Sequence, residues 1–189
     1  MKIRTMVCAA VVIAGLMLGN VVAMASGGNG GGGVLSEQEI AEIMQQYGDG
    51  SSGENIANAA LKYVGLKYSQ ELRNAQGYVD CSSLTQRVMS DEGIDIPGTS
   101  VEQANYYLAK GSTASISEAE TGDLVFWTKT NCVCGRSHEI HHVGIYLGGG
   151  AVVEASSSKN AVVVRKLWET ENWKIAFCAK ASSEMKPIE

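Results

Sequence analysis

Three residues of this chain have side chains suited to nucleophilic chemistry, namely Cys81, His142 and Glu154. Asp80 occupies a position typical of a helix N-cap, and apolar residues follow at helical spacing, which predicts Cys81 in the first turn of a helix. The N-terminus of a helix carries partial positive charge and free N–H groups, which favour a thiolate and can donate to an oxyanion. One position therefore combines an activated nucleophile with stabilisation of the charge that develops on an attacked carbonyl.

His142 lies on a predicted strand that three glycines, at 148–150, connect to a second strand, which predicts a β-hairpin. Alternation places His142 and Gly144 on the face opposite the apolar residues, and Gly144 leaves room there for the helix that carries Cys81. In this register Glu154 lies opposite Gly144 and diagonal to His142, with Cα atoms roughly 7–8 Å apart. A carboxylate at that distance can orient the imidazole and support its charged form.

Each of these three residues also has a purely structural interpretation. Cys81 is equally consistent with a buried structural cysteine, His142 with a half-buried strand histidine, and Glu154 with a solvated charge. A nucleophile, a base and a group that orients the base form a catalytic arrangement when they lie together. Because the three residues fall at a helix start, on a strand and on its hairpin partner, the sequence favours a Cys–His–carboxylate site.

The elements that must position these residues change in type along the chain. A capping box of Ser36 and Glu39 begins the first of four predicted helices, which end near residues 47, 65, 93 and 109. Beyond Gly122 the apolar period becomes two, which predicts strands. Helices therefore precede a mainly antiparallel sheet, and the expected fold class is α+β, with N-terminal helices packed on the sheet. The predicted strands are 124–127, 140–147, 151–155, 161–165 and 173–179.

The N-terminal residues predict export. Lys2 and Arg4 precede an apolar run, and a small-residue cleavage pattern ends at Ala25, so residues 1–25 are interpreted as a signal peptide. An uncleaved membrane anchor is the alternative interpretation of the same run. The remaining chain is divided into a Gly-rich linker with one short helix at 26–53, a catalytic domain at 54–182 and a tail at 183–189. The protein is expected outside the cytoplasmic membrane, secreted or at the cell surface, without membrane contact after signal removal.

Net charge argues against a nucleic-acid partner. The chain carries a formal charge of −5, which becomes −7 once the two basic residues of the predicted signal peptide are left out. A phosphate-backbone binder needs a basic surface instead. The sequence carries no sign of a cofactor and none is predicted, and the oligomeric state is left open.

A second group of residues has the types that bind metals. Cys132 and Cys134 are followed by His138 and His141, in the pattern C-x-C-x3-H-x2-H. Two thiolates and two imidazoles can satisfy tetrahedral zinc, although the spacing is not that of a standard finger. Alternatives are a disulfide from one of these cysteines to Cys178, free thiols, or a histidine that faces the core. No metal site is assigned from the sequence.

Several segments together resemble the NlpC/p60 family of cell-wall cysteine peptidases. Asp80-Cys81-Ser82-Ser83 is similar to the family's D-C-S-G segment at a helix start, and His142-Val143-Gly144-Ile145-Tyr146 is similar to its H-V-G-I-Y strand. The likeness extends to residues 60–68, 96–103 and 121–127 and covers about 54–180. The order and spacing of five segments make the resemblance far more specific than any single motif.

The resemblance implies a papain-like α+β fold and hydrolysis of the D-γ-glutamyl to diamino acid bond in peptidoglycan stem peptides. Cys81 would then be the nucleophile, His142 the general base, and Glu154 the third catalytic residue. Tyr68 matches a family tyrosine that helps to bind the substrate or the oxyanion. Asp80 and Ser82 match positions that recognise a free substrate amine in some relatives.

The sequence departs from the family pattern near the expected substrate groove. Ser83 replaces a glycine, Gly98 stands where many members have arginine, and residues 69–72 replace the usual W-G-G. The wall of the groove is therefore expected to differ. Glutamate at the third position also occurs in the related CHAP amidases, which leaves an N-acetylmuramoyl-L-alanine amidase or a cross-bridge peptidase as the alternative enzyme. A catalytically silent wall-binding module is the third interpretation.

Overall fold

The computed structural model describes residues 32–184, and the predicted signal peptide lies outside these residues. Four helices occur in this part of the chain: α1 (Glu37–Tyr47), α2 (Ser52–Leu61), α3 (Cys81–Asp91) and α4 (Ser100–Lys110). Each begins at a Ser, Thr or Asp whose side chain accepts a hydrogen bond from a free N–H of the first turn. The predicted capping box at Ser36 and Glu39 is confirmed.

Eight strands form one sheet in the order β2-β1-β7-β6-β5-β4-β8-β3, antiparallel except for the pair β1 and β2. The sheet is the mainly antiparallel one that the sequence predicts, and the α+β class is confirmed. The strands are β1 (Lys67–Tyr68), β2 (Tyr78–Val79), β3 (Thr113–Ala114), β4 (Leu124–Lys129), β5 (Ile140–Gly148), β6 (Ala151–Ser156), β7 (Ala161–Lys166) and β8 (Trp173–Ala179).

The main core lies between the helices and the sheet. Apolar residues of α2, α3 and α4 pack against β5. The β5 residues Val143, Ile145 and Leu147 are all buried. Three buried residues, Val125, Trp127 and Val152, form a smaller cluster with other aromatic side chains, including Trp168 and Trp173. Strand alternation therefore divides β5 between the main core and this aromatic cluster, as expected for a sheet covered on both faces.

Some elements differ in extent from the predictions. The second helix ends at Leu61, and the chain then forms turns as far as Gly65. Gly148 belongs to β5, so the turn of the hairpin consists of Gly149 and Gly150. The three short strands β1, β2 and β3 were not predicted. Each has two residues, which is too short to display a hydrophobic period.

The segment around α1 packs on the sheet. Leu35 donates its backbone N–H to the carbonyl of Val164 at 2.9 Å, Val34 bridges Arg165, and Ile43 of α1 is buried. Residues 32–35 thus cover the part of β7 that the short β1 leaves open, and a covered edge is protected from pairing with other chains. The division of the chain at residue 54 stays a prediction. Within residues 32–184 no helix combines the length and apolarity needed to cross a membrane.

Gly53 is expected to be intolerant of a side chain. A Cβ atom at Gly53 would lie 2.0 Å from the carbonyl oxygen of Thr121, where α2 meets the start of β4. We expect Gly53→Ala to lower the free energy of unfolding by about 1–3 kcal/mol, because backbone has to move to relieve the overlap. Urea denaturation measures this change. Gly98→Ala is the matched control, since the nearest atom to its Cβ is 3.9 Å away. Equal effects of the two substitutions would contradict the prediction.

Candidate active site

Cys81 is the first residue of α3, as predicted from the sequence. Asp80 caps this helix, because its Oδ1 accepts from the backbone N–H of Ser83 at 2.7 Å and its own N–H donates to Ser83 Oγ at 2.8 Å. This reciprocal pair leaves other N–H groups of the first turn available to a ligand. Cys81 is 7% exposed and lies beside His142, whose pKa it raises.

The hairpin has the register that the sequence predicts beside the catalytic candidates. Ile145 pairs with Val153, so Glu154 lies next to Gly144 and near His142. The His142 Nε2 atom is 2.8 Å from Glu154 Oε2. Because Glu154 occupies Nε2, Nδ1 is the ring nitrogen that remains for Cys81. Cys81, His142 and Glu154 therefore lie together, with the imidazole between the thiol and the carboxylate.

The role predicted for Gly144 is wrong. Its missing side chain was expected to leave room for the helix that carries Cys81. Instead the space is filled by β6, because a Cβ atom at Gly144 would meet Val152 Cγ2 at 2.8 Å and the carbonyl of Val153 at 2.9 Å. Glycine is needed for the close approach of two strands, and α3 reaches His142 from the main core.

Glu154 is held by three donors in a buried position. Besides His142, it accepts from Trp168 Nε1 at 2.9 Å and from Arg165 Nη1 at 3.0 Å, and Glu154 is 1% exposed. Burial alone would raise the pKa of Glu154, but the hydrogen bonds from His142 and Trp168 and the charge of Arg165 lower this pKa to about 2. Glu154 is therefore a fixed carboxylate at neutral pH.

His142 lies between this carboxylate and the thiol of Cys81. Burial would lower the pKa of His142, but the hydrogen bonds and negative charges of Cys81 and Glu154 raise the pKa to about 10. The ring of Trp127 is 5.3 Å and that of Trp168 6.0 Å from the imidazole, centroid to centroid. The aromatic rings restrict its orientation, and the carboxylate favours its charged form.

Tyr68, the predicted substrate or oxyanion residue, lies beside the nucleophile. Burial, followed by the negative charges of Cys81 and Asp80, raises the pKa of Tyr68 to about 12. The phenol is therefore protonated at neutral pH and remains a hydrogen-bond donor. Tyr68 belongs to the short strand β1, which pairs with β2 just before Asp80. The short parallel pair thus connects Tyr68 to the start of α3.

Asp80 and Ser82, the other predicted substrate residues, are buried and already bonded. Asp80 pairs with Arg73 at 3.2 Å in addition to capping α3, and Ser82 Oγ donates to Asp80 Oδ1 at 3.3 Å. Arg73 also donates to the carbonyl of Gly98. Through these contacts Asp80 and Ser82 stabilise the start of α3. Their recognition of a substrate amine stays a prediction.

Three residues of the site were missed by the sequence analysis: Arg165, Trp168 and Trp127. Arg165 packs over the Trp168 ring at 5.1 Å, and Trp127 Nε1 donates to the Trp168 carbonyl at 2.8 Å. The Trp127 and Trp168 rings are stacked with centroids 5.3 Å apart. The only signal in the sequence was an arginine directly after the apolar run of a strand, and an arginine that is buried usually has a charged partner.

An open groove of about 430 Å³ adjoins His142 and Glu154. Trp168 and Trp173 line it together with polar residues, including Ser157 and Lys159. Most of the lining is therefore polar or charged, and the two indole rings supply its apolar surface. The groove leaves the histidine side of the site open to solvent.

The second group of predicted ligands is only partly assembled. The sulfur atoms of Cys132 and Cys134 are paired in a disulfide, and His141 Nε2 lies 3.1 Å and 3.3 Å from these two sulfurs. The alternative bridge to Cys178 is wrong, because Cys178 is a free buried thiol whose Sγ contacts the carbonyls of Ala114 and Ser115. His138 does not belong to the cluster.

Helices packed on an open antiparallel sheet, with a cysteine at a helix start facing a histidine on a central strand, define a papain-like α+β domain. The chain belongs to the NlpC/P60 family, whose model matches residues 63–181. The matched residues include α3, β5 and β6, and therefore Cys81, His142 and Glu154.

Curated relatives and a solved structure share this domain. The bifunctional muramidase/DL-endopeptidase CwlT of Bacillus subtilis is 37% identical over 107 residues, which cover 56% of this chain and 30% of the relative. The gamma-D-glutamyl-L-lysine dipeptidyl-peptidase of the same organism is 26% identical over 136 residues, covering 72% and 42%. The NlpC/p60 domain of the peptidoglycan hydrolase SagA superposes with a TM-score of 0.52 at 29% identity, covering 68% of this chain and 97% of that domain. The chain thus spans less than half the length of these two curated relatives.

Proposed function

We propose that this protein is an exported cysteine peptidase that hydrolyses peptidoglycan stem peptides at the D-γ-glutamyl to diamino acid bond. The observation that carries the proposal is the assembly of Cys81, His142 and Glu154, with the imidazole beside the thiol and 2.8 Å from the carboxylate. Family membership and the activities named for two relatives support this substrate class. Export rests on the leader pattern at residues 1–25.

In the first step Cys81 Sγ attacks the γ-carbonyl carbon of the D-glutamyl residue. The carbonyl π electrons move to oxygen, and the oxyanion accepts hydrogen bonds from the Tyr68 hydroxyl and from free N–H groups at the start of α3. His142, charged beside the thiolate, then donates its proton to the departing amine of the diamino acid. The C–N bond breaks and a thioester to Cys81 remains.

In the second step water hydrolyses this thioester. His142 is now neutral and accepts a proton from the water, whose oxygen bonds to the acyl carbon while the C–S bond breaks. Glu154 keeps the imidazole in one orientation and stabilises its charged form in both steps. Arg165 and Trp168 hold the carboxylate, so their effect reaches the reaction through the orientation of His142.

The groove beside His142 suits a stem peptide. Stem peptides carry several carboxylates, and Lys159 supplies a cation at the groove while Ser157 and neighbouring hydroxyls supply hydrogen bonds. The rings of Trp168 and Trp173 offer apolar surface to the peptide backbone and the alanine methyl group. This combination favours a short acidic peptide over a bulky glycan.

Tyr68→Phe tests the oxyanion contribution. We expect kcat to fall by about 10²-fold with a much smaller change in KM, because one donor to the transition-state charge is removed. Steady-state hydrolysis of a synthetic stem peptide measures both constants. Tyr63→Phe is the matched control, since it removes a hydroxyl that bonds to Asp91 at 2.9 Å and lies away from Cys81. A rise in KM at constant kcat would instead assign Tyr68 to ground-state binding.

Product identity tests the proposed bond. The purified chain is incubated with isolated peptidoglycan and the soluble products are analysed by mass spectrometry. Release of an L-Ala-D-Glu dipeptide, or of peptides that begin at the diamino acid, is the expected result. Intact stem peptides with free N-terminal L-Ala would assign the protein as an amidase. Absence of product from walls of several chemistries would favour a binding module.

A further inference from the structure

The loop between β4 and β5, together with the start of β5, brings together three potential metal ligands that the proposed reaction does not use. The donor atoms of Cys132, Cys134 and His141 all lie within 4.8 Å of one another. His141 Nε2 is 3.1 Å from Cys132 Sγ and 3.3 Å from Cys134 Sγ. Tetrahedral zinc with sulfur and nitrogen ligands imposes separations of about 3.5 Å between such atoms. The distance from His141 Nε2 to each sulfur is therefore close to the one that a shared zinc ion requires.

A structural disulfide is a weak explanation for the two cysteines. They are separated by two positions in the chain, so a bridge between them closes a very short loop and constrains the unfolded chain little. The cluster also contains a feature common at metal thiolates, because the backbone N–H of Cys134 donates to Cys132 Sγ at 3.3 Å. Cys134 is exposed and Cys132 and His141 are half-buried, so an ion can enter from solvent.

We propose that the reduced protein binds a zinc ion through Cys132, Cys134 and His141, with solvent as the fourth ligand. A thiol reductant first cleaves the Cys132–Cys134 bridge, supplying two electrons and two protons and becoming a disulfide itself. Zinc then displaces both thiol protons and is bound by two thiolates and a neutral imidazole. The proposal departs from the sequence analysis, which assigned no metal, and it does not depend on the proposed function.

His138 lies near the cluster in the sequence but is not one of its ligands. His138 has a left-handed backbone conformation, with φ of 52°, and its carbonyl accepts from Thr128 Oγ1 at 3.2 Å. It is not part of the cluster, although the C-x-C-x3-H-x2-H pattern includes it. The two histidines of the pattern are therefore expected to differ in their effect on metal binding.

Bound zinc would link the loop to the wall of the active site. The ring centroids of His141 and Trp173 are 6.0 Å apart, and those of Trp173 and Trp168 are 5.9 Å apart. Trp168 in turn donates a hydrogen bond to Glu154. On its other side the loop contacts α4 through Ser137, whose hydroxyl donates to Asn105 at 3.0 Å. The ion would thus stabilise a loop that joins α4 to the strand of His142, without contact with the substrate.

The test uses the full chain carrying Cys81→Ala, so that the thiol of the active site does not bind the probe. The reduced, metal-free protein is titrated with Co²⁺ and then with Zn²⁺. We expect one equivalent of Co²⁺ to produce a thiolate-to-cobalt charge-transfer absorption, which Zn²⁺ removes by displacement. The absorption is lost in Cys132→Ser/Cys134→Ser, and His141→Gln weakens binding at least about tenfold. Cys178→Ser and His138→Gln are the matched controls and retain it.

A second measurement keeps the test valid if the double variant fails to fold. In the reduced Cys81→Ala chain, saturating Zn²⁺ is expected to protect Cys132 and Cys134 from alkylation by iodoacetamide, as measured by peptide mass spectrometry. Absence of stoichiometric metal from the reduced protein would overturn the proposal. Charge-transfer absorption that survives in the folded double variant, or equal alkylation with and without Zn²⁺, would overturn it as well.

Discussion

Replacement of Cys81 by alanine is expected to lower the rate of stem-peptide hydrolysis by at least about 10⁴-fold, to the background of the assay. The reason is that the proposed reaction passes through a thioester, and Cys81 is the thiol in residues 32–184 that lies beside His142. Cys178 is the other free cysteine in this range, and it contacts carbonyls next to β3 instead. Product release from peptidoglycan, followed over time by mass spectrometry, measures the loss.

The same substitution should leave the fold intact. Cys81 contributes one small side chain and a hydrogen bond to His142, so we expect the free energy of unfolding to change by about 1 kcal/mol or less. Cys178→Ala removes a buried thiol elsewhere and serves as the matched control, with the rate retained. Hydrolysis that persists in a folded Cys81→Ala chain would reject thiol catalysis.

Glu154→Gln is expected to lower kcat by about 10²–10⁴-fold and to destabilise the protein. The amide keeps the size of the side chain but loses the charge that pairs with Arg165 and with the His142 imidazolium. Breaking a buried ion pair by neutralising one partner costs about 3 kcal/mol or more. Kinetics with a synthetic stem peptide and urea denaturation measure the two effects. Glu171→Gln, at an exposed glutamate, is the control and should alter neither.

The stability effect has a defined pH dependence. The pKa of Glu154 is lowered to about 2 in the folded protein, from an ordinary value of 4.5. Ionised Glu154 therefore stabilises the fold fully above pH 4.5, and this contribution is lost as the pH falls toward 2. The difference between wild type and Glu154→Gln in unfolding free energy should accordingly shrink below pH 4.5. A difference that stays constant down to pH 2 would show that the loss is not electrostatic.

The local parts of the site were predictable from the sequence because short-range signals determine them. An N-cap aspartate fixes where α3 begins, and hence where Cys81 lies. Glycines between two alternating strands fix a hairpin register, and hence the approach of Glu154 to His142. Each signal operates over a short stretch of chain, where backbone geometry leaves few alternatives.

The supports of Glu154 were not predictable in the same way. Trp168 follows β7 in a connection without periodicity, and its indole reaches Glu154 only because the connection folds back over the sheet. Arg165 reads as a strand residue, and nothing in its neighbours indicates which carboxylate it pairs with. The space at Gly144 was assigned to the wrong partner for a related reason, since the sequence shows that room exists and not which element fills it.

The contact of Arg165 with the first described residues connects the N-terminal segment to the candidate active site. Arg165 Nε donates to the carbonyl of Gly32 at 2.9 Å, while the same guanidinium holds Glu154. The first described residue of the chain is therefore bonded to the same side chain that holds Glu154. Removal of Gly32 and Gly33 would break this contact, so we expect a truncation at that point to loosen the support that Arg165 gives to Glu154.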